Sequence, residues 1–246
     1  MQALILAAGM GKRLKEYTKD STKCMVEVNG VSLIERMLRD LDELNLNQII
    51  IVTGYMSGLL EEYIKGLGIK TPLVFVENEI YDKTNNIYSL YLADEYLLKD
   101  DTLLLESDLI VEKGILKGLA EDSRDSVALV DKYDDWMDGT CVKLNDEDEI
   151  VDFVLGKYFK EEDAGEYYKT VNMYKFSKNF SAKYYVPFME AYRTAMGDNV
   201  YYETVLGIIK DLEGQPLRAR RLSGEKWYEI DNETDLKAAS KLFGNL

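Results

Sequence analysis

Histidine is absent from the 246 residues, and only two cysteines occur, Cys24 and Cys141. Without an imidazole, Ser-His-Asp and Cys-His catalysis are excluded, as are the common histidine metal sites. Two cysteines are too few for a disulfide framework or a zinc site. Positive charge is also in deficit: 30 Lys and Arg against 45 Asp and Glu give a net charge of −15. That balance argues against a nucleic-acid surface or an anionic membrane as main partner, although local fields decide whether a small anion binds. No apolar run reaches the ~18 residues needed to cross a bilayer. No cationic segment precedes an apolar one at the start, and there is no internal repeat or low-complexity linker. A soluble cytoplasmic protein is the expectation. Its chemistry must rest on carboxylates, lysine, arginine, backbone amides or a hard metal.

What is present suits a folded enzyme-sized unit. With 46% hydrophobic residues the chain can bury a substantial core. Its length fits one domain, 1–246, with the open alternative that this is the N-terminal part of a longer fusion. ALILAA (3–8), QIIIVTG (48–54), PLVFVEN (72–78), TLLLESD (102–108) and SVALVDK (126–132) read as buried strands. Between them lie helical stripes: Ile34, Met37, Leu38, Leu41 and Leu44 after a Ser32 cap, then Leu59, Leu60, Tyr63, Ile64 and Leu67, then 84–97. Strands apolar on both faces and alternating with helices predict an α/β fold whose mostly parallel sheet is covered on both sides. Beyond residue 130, GTCVKL, EIVDFVL and KTVNMYKF predict a smaller antiparallel portion. Helices near 178–195, 199–212 and 233–243 and a late strand WYEID (227–231) complete the pattern.

The first strand runs into LILAAGMGKRL (4–14). A strand ending in glycines offers backbone amides to an anion, and Gly9 and Gly11 let that backbone approach closely. A dinucleotide fingerprint needs a third glycine where Leu14 stands. A P-loop needs Ser or Thr where Arg13 stands. Both motifs fail, and a plain strand-to-helix turn with solvated cations stays open on the loop alone.

The order G-x-G-[KR]-R-L followed by TKDSTKCMVEVNGVSLIE resembles the nucleotidyltransferases that join a nucleoside triphosphate to a sugar phosphate or phospho-alcohol. YDKTNNIYSLYLADEYL (81–97) resembles their bacterial CTP-dependent branch, which acts on phosphocholine and 2-aminoethylphosphonate. The resemblance implies a Rossmann-like nucleotidyltransferase fold. It also implies a nucleotide site at Leu6, Ala8, Gly9, Gly11, Lys12, Arg13, Lys23, Asn85, Asn86 and Ser89. Thr22 departs from the proline many members carry before the lysine. Asn85 or Asn86 also reads as an ordinary helix cap. Asp108 and Asp231 fall at strand ends that share one crevice in a parallel sheet, where two carboxylates suit Mg²⁺. The resemblance makes them metal ligands, with Glu229 as an outer member. Lys23, Asp108 and Asp231 become the catalytic set.

For the acceptor, VDKYDDWMDGT (130–140) places Asp131, Asp134, Asp135 and Asp138 around Tyr133 and Trp136. An aromatic face with carboxylates suits an amine head, and a buried Trp beside a solvated acidic loop is the alternative. Lys169 and Asn172 of YYKTVN could serve the acceptor phosphonate and its orientation, with a strand bearing ordinary exposed polar residues as the alternative. Resemblance marks Tyr133 and Trp136, with Asp131 and Asp138 beside them, as acceptor contacts. It leans to 2-aminoethylphosphonate over phosphocholine or a sugar 1-phosphate, with CTP as the donor. A homodimer is left open. A glycosyltransferase and a catalytically silent nucleotide sensor are the rival classes. The first would carry a D-x-D where ESDLI has one Asp, and the second fits poorly with Lys23, Asp108 and Asp231 all in place.

Overall fold

The computed structural model describes residues 1–214 and 217–244. Six consecutive buried residues, Gln2–Ala7, form β1. A short hairpin, β2 (Glu27–Val28) and β3 (Val31–Ser32), leads into α1 (Leu33–Asp42). Then come β4 (Ile49–Thr53), α2 (Ser57–Gly66), β5 (Leu73–Glu77), α3 (Asn86–Tyr91) and α4 (Asp94–Leu97). β6 (Thr102–Glu106), β7 (Leu109–Val111), α5 (Ile115–Ala120) and β8 (Ser126–Lys132) follow. Three strands come next, β9 (Cys141–Leu144), β10 (Ile150–Val154) and the long β11 (Tyr167–Phe176). The chain continues through α6 (Lys178–Phe180), a π-helical turn at Ser181–Tyr185, α7 (Val186–Met196) and α8 (Glu203–Ile209). β12 (Leu217–Arg221), β13 (Trp227–Glu229) and α9 (Glu233–Leu242) complete the described elements.

The main sheet has the order β10-β9-β11-β6-β1-β4-β5, with β8 and β12 branching along β11. β6, β1, β4 and β5 are parallel, so their C-terminal ends share one edge. β11 runs antiparallel to β6, β8 and β9, which gives the smaller antiparallel portion. Alternate residues feed opposite faces. Ala3, Ile5, Ile49, Ile51, Leu103 and Leu105 pack with α1, α2 and α5, while Leu4, Leu6, Ile50, Val52 and Leu104 pack with α3, α7 and α8. Because both faces are buried, the strands read as unbroken apolar runs. The predicted α/β architecture is the observed one.

Three expected helices differ in detail. The 84–97 helix breaks at Ala93, whose ψ of 13° leaves the helical range, and Asp94 and Glu95 start a second helix where negative charge suits its N-terminus. The 178–195 helix carries the π turn just before Pro187, which has no N–H for the ordinary i−4 bond. The 199–212 helix is confined to α8, starting at Glu203. The β2–β3 hairpin, β7, α5 and β12 are elements the apolar pattern did not reveal: the hairpin strands and β7 have only two or three residues, α5 has six, and β12 is the arginine-rich LRARR.

A third, smaller core joins Leu14, Val26, Val28, Leu33, Ile110, Ile230, Leu236 and Phe243. It fastens the glycine loop to the hairpin, to β7 and to α9. β13 pairs antiparallel with β7, and the Ile230 N–H donates to the Asp108 carbonyl at 3.0 Å. The asparagine cap of α9, Asn232 with Asp235 in a capping box, fixes the turn that follows Asp231. Two acidic segments more than a hundred residues apart are brought together in this way.

Candidate active site

After β1 the chain turns through Gly9 and Gly11 into tight helical turns at Lys12–Thr18. Gly11 has φ +61°, and a Cβ there would lie 2.8 Å from the Lys23 Cβ. Only glycine lets the loop close on the lysine stem. Leu14 is buried, and its N–H and the Thr18 hydroxyl both donate to the Gly11 carbonyl. Lys12 and Arg13 project outward, with the Arg13 side chain 64% exposed.

Lys23 reaches back under this loop. Its Nζ donates to Asp108 Oδ2 at 2.5 Å and to Asp231 Oδ1 at 2.6 Å, and Arg13 meets the same Asp231 oxygen at 2.7 Å. Burial alone would lower the Lys23 pKa, but Asp108 and Asp231 outweigh it and hold the amine above the ordinary lysine value. Burial would likewise raise Asp231, yet Lys23 and Arg13 bring it below the usual carboxylate value. Glu229 joins them, and carboxylate oxygens of Asp108, Glu229 and Asp231 lie within 4.8 Å of one another. Burial pushes Glu229 up and Lys169 opposes it, while Asp108 and Asp231 add to the rise, leaving it at about 7.

Lys169 is fully buried, 3.4 Å from Glu229, and donates to its neighbour's carbonyl at Thr170. Asn172 donates to Glu229 Oε1 at 3.3 Å. Its backbone is left-handed, φ +56°, within a stretch of β11 where the register against β8 shifts between Thr170 and Tyr174. A bulge of this kind re-aims a side chain toward a site.

The crevice at the strand ends has three adjoining parts. A cavity of about 150 Å³ is lined by Leu6, Ala8, Gly9, Asn85 and Ser89, together with Asn78 and Tyr81. Beside it, about 680 Å³ is lined by Gly9, Gly11, Lys12, Arg13, Lys23 and Asp108. A third space of about 580 Å³ is lined by Asp138, Asn172, Tyr201, Glu106, Glu203 and the carboxylate group. Asn85 Oδ1 accepts from the Asn86 N–H, capping α3. The Asn86 amide donates to Glu106 and Glu203 at 3.3 Å each, and its oxygen accepts from the Tyr202 N–H. Burial pushes both glutamates above the ordinary carboxyl value, and for Glu106 the nearby Asp108 and Glu203 add to it.

Of the expected acceptor residues, Asp138 and Asn172 line this space, and Lys169 reaches it through Glu229. Asp131 accepts from the Trp227 indole at 2.8 Å, Tyr133 packs on Phe159, and Trp136 stacks on Tyr228 at 4.1 Å. Those three stand beside the site, holding β13 and its flanks. Glu106, Glu203, Tyr201, Asn78 and Tyr81 line the crevice without having been singled out. Glu106 had a signal, standing two residues before Asp108 in LLLESD; Glu203, buried at a helix start, had none.

A crevice at the carboxyl ends of parallel strands, with an amide-rich loop, two cations and paired aspartates, defines a nucleotide-binding α/β protein. The family model of the MobA-like NTP transferase domain matches residues 3–238, and the chain belongs to that family. It is 26% identical over 248 residues to CMP-5'-(3-aminopropyl)phosphonate synthase of Streptomyces rubellomurinus, covering 99% of this chain and 39% of that protein. It is 28% identical to choline-phosphate cytidylyltransferase of Streptococcus pneumoniae, over 100% of this chain and 99% of the relative. A solved structure of the CTP:phosphocholine cytidylyltransferase from that organism superposes with a TM-score of 0.81 at 26% identity, covering 98% of each chain. The 2-aminoethylphosphonate cytidylyltransferase of Lancefieldella rimae is 36% identical over 110 residues, 44% of this chain and 43% of the relative. The chain therefore spans about two fifths of the length of the Streptomyces relative, and its match to the Lancefieldella relative is confined to less than half of either protein. No helix among the described residues is long and apolar enough to cross a membrane.

Proposed function

We propose that this chain transfers CMP from CTP to 2-aminoethylphosphonate and releases pyrophosphate. The observation that carries the reading is Lys23 held between Asp108 and Asp231 directly beneath the glycine loop. Leu6, Ala8, Asn85, Asn86 and Ser89 line the base and ribose end. Gly9, Gly11, Lys12 and Arg13 face the phosphates. The acceptor end is rich in carboxylate, with Glu106, Asp138 and Glu203, and Tyr201 is the one aromatic among its described lining residues. A primary ammonium takes directed hydrogen bonds from carboxylates, whereas quaternary choline needs an aromatic cage. That difference favours the aminophosphonate over phosphocholine.

The donor set fits a hard divalent cation. Three carboxylates converge, and Asp108 Oδ1 is buried without a hydrogen-bond partner among the described residues. Asp108 and Asp231 would hold Mg²⁺, with Glu229 beside them, and the ion would supply charge neutralisation at the reacting phosphate. The remaining work falls to the protein. The acceptor phosphonate is largely ionised at neutral pH, so no general base is required. One of its oxygens attacks the α-phosphorus of CTP in line. The new P–O bond forms as the bond to the bridging oxygen breaks, and pyrophosphate leaves with that electron pair. Lys23 neutralises charge growing on the α-phosphate, Arg13 and Lys12 hold the β- and γ-phosphates, and the loop amides fix all three.

The test is pyrophosphate release with Mg²⁺, pairing each of the four nucleoside triphosphates with 2-aminoethylphosphonate, phosphocholine or glucose 1-phosphate. CTP with 2-aminoethylphosphonate should give the highest kcat/KM, and Asp108→Asn should lower it by roughly 10²–10³-fold or more. Preference for phosphocholine would overturn the acceptor assignment. Near-normal turnover by Asp108→Asn would overturn the metal assignment.

A further inference from the structure

The smallest part of the crevice carries a hydrogen-bond relay that none of the motifs marks. Asn78, 1% exposed at the end of β5, is held by its backbone N–H, which donates to the Thr53 carbonyl at 2.8 Å. Its side-chain oxygen accepts from the Ile80 N–H at 3.1 Å. A backbone amide can only donate, so this contact fixes which end of the Asn78 amide is oxygen. The amide nitrogen must then face the other way. It donates to Thr84 Oγ1 and to Ser89 Oγ, each at 3.1 Å. Thr84 passes its own proton to the Ile80 carbonyl at 3.1 Å. Ser89 is 4% exposed and, among the described residues, its hydroxyl accepts from Asn78 and donates to none. That proton is left available to a group bound in the cavity of about 150 Å³ that Ser89 and Asn78 line together.

We infer that Asn78 sets the base preference of the nucleotide site by fixing the polarity of the Ser89 hydroxyl, so that the cavity takes a pyrimidine presenting an acceptor on its pairing edge. The inference rests on the nucleotide reading of the crevice and adds to it the source of the choice between cytosine and uracil. Cytosine N3 is an acceptor and satisfies the proton. Uracil presents an N–H at the same position, which leaves the Ser89 proton buried without a partner or sets two donors against each other. Ser89 is the contact residue. Asn78 is a positioning residue that acts through it.

The experiment uses the full chain and measures kcat/KM for CTP and for UTP by pyrophosphate release, with 2-aminoethylphosphonate and with phosphocholine as acceptors. Asn78→Asp keeps the shape and still accepts from Ile80, but its second oxygen now accepts from Ser89. The hydroxyl turns round and presents lone pairs to the cavity. The CTP/UTP ratio should fall at least about tenfold, the scale set by one unsatisfied buried polar group. Ser89→Ala should lower the ratio by removing the donor, and adding Asn78→Asp to Ser89→Ala should change it no further. A purely structural Asn78 would depress both nucleotides alike, and an unchanged ratio in Asn78→Asp overturns the relay alone. If the wild-type chain releases no pyrophosphate from any nucleoside triphosphate, the proposed function falls and the relay with it.

Discussion

Replacing Lys23 with methionine keeps the stem that packs against Gly11 and removes only the ammonium. In the native site that ammonium is 2.5 Å from Asp108 and 2.6 Å from Asp231, with all three side chains 16% exposed. Asp231 would retain Arg13, but Asp108 has no other ion pair among the described residues. Breaking a fully buried pair costs about 3–5 kcal/mol. These groups keep a wet edge, so a loss of about 1–3 kcal/mol is expected at pH 7. For a chain of this size that corresponds to roughly 2–12 °C in Tm. Lys23 helps hold the Asp231 pKa below the ordinary carboxylate value, so that part of the gap in Tm should be complete above the unfolded carboxyl pKa of about 3.9 and narrow as pH falls below it. Catalysis should suffer more than stability. Losing one preorganised charge at the reacting phosphate costs roughly 10²–10³-fold in kcat. Pyrophosphate release at saturating CTP, combined with thermal melts from about pH 3 to 8, measures both. A variant with raised KM for CTP but native kcat would show that Lys23 serves ground-state binding, refuting its transition-state role.

Gly11→Ala should lower Tm and weaken turnover together, because its Cβ falls 2.8 Å from Lys23 at a φ that costs alanine about 1–2 kcal/mol; Gly9→Ala, whose Cβ meets nothing within 4 Å, should melt like wild type and lose only CTP affinity. Asp42 accepts from the N–H groups of Lys70 and Thr71 and from the Thr71 hydroxyl. Burial would raise its pKa, but these hydrogen bonds dominate and hold it low. Its stabilisation is therefore complete above the unfolded carboxyl pKa of about 3.9 and is lost as pH falls through the lower folded value. Asp42→Ala should cost about 1–3 kcal/mol at neutral pH, with the difference from wild type vanishing in melts near pH 2; an undiminished difference there would reject the assignment.

The parallel half of the fold was legible because its strands stand out as apolar runs. The charged site was legible for a related reason: each functional side chain adjoins an anchor the pattern also marks. Arg13 precedes buried Leu14, Asp108 follows β6, and Asp231 follows buried Ile230. A sequence reader who finds the anchors finds the charges. The antiparallel half resists such reading, since there the partner of a residue depends on register. Asn172 was read as a candidate from its residue type, but its contact with Glu229 rests on the register shift of β11 against β8 beside it and on its left-handed backbone, neither of which leaves a trace in the polarity of KTVNMYKF.

The aromatic loop, too, takes its partners from the fold and not from its sequence neighbours. Tyr133 and Trp136 lie near carboxylates in sequence, which is what an amine site would require. In space Trp136 spends its face on Tyr228, and Trp227 spends its N–H on Asp131. The acidic groups that line the acceptor end instead come from three separate places, β6, the 138–140 turn and the start of α8. Glu203 is buried next to Glu106, and the Asn86 amide donates to both. Two buried carboxylates with so little compensation are costly to the fold by themselves. An ammonium-bearing acceptor would relieve that cost on binding, so the feature least visible in the sequence is the one that most directly favours an amine substrate.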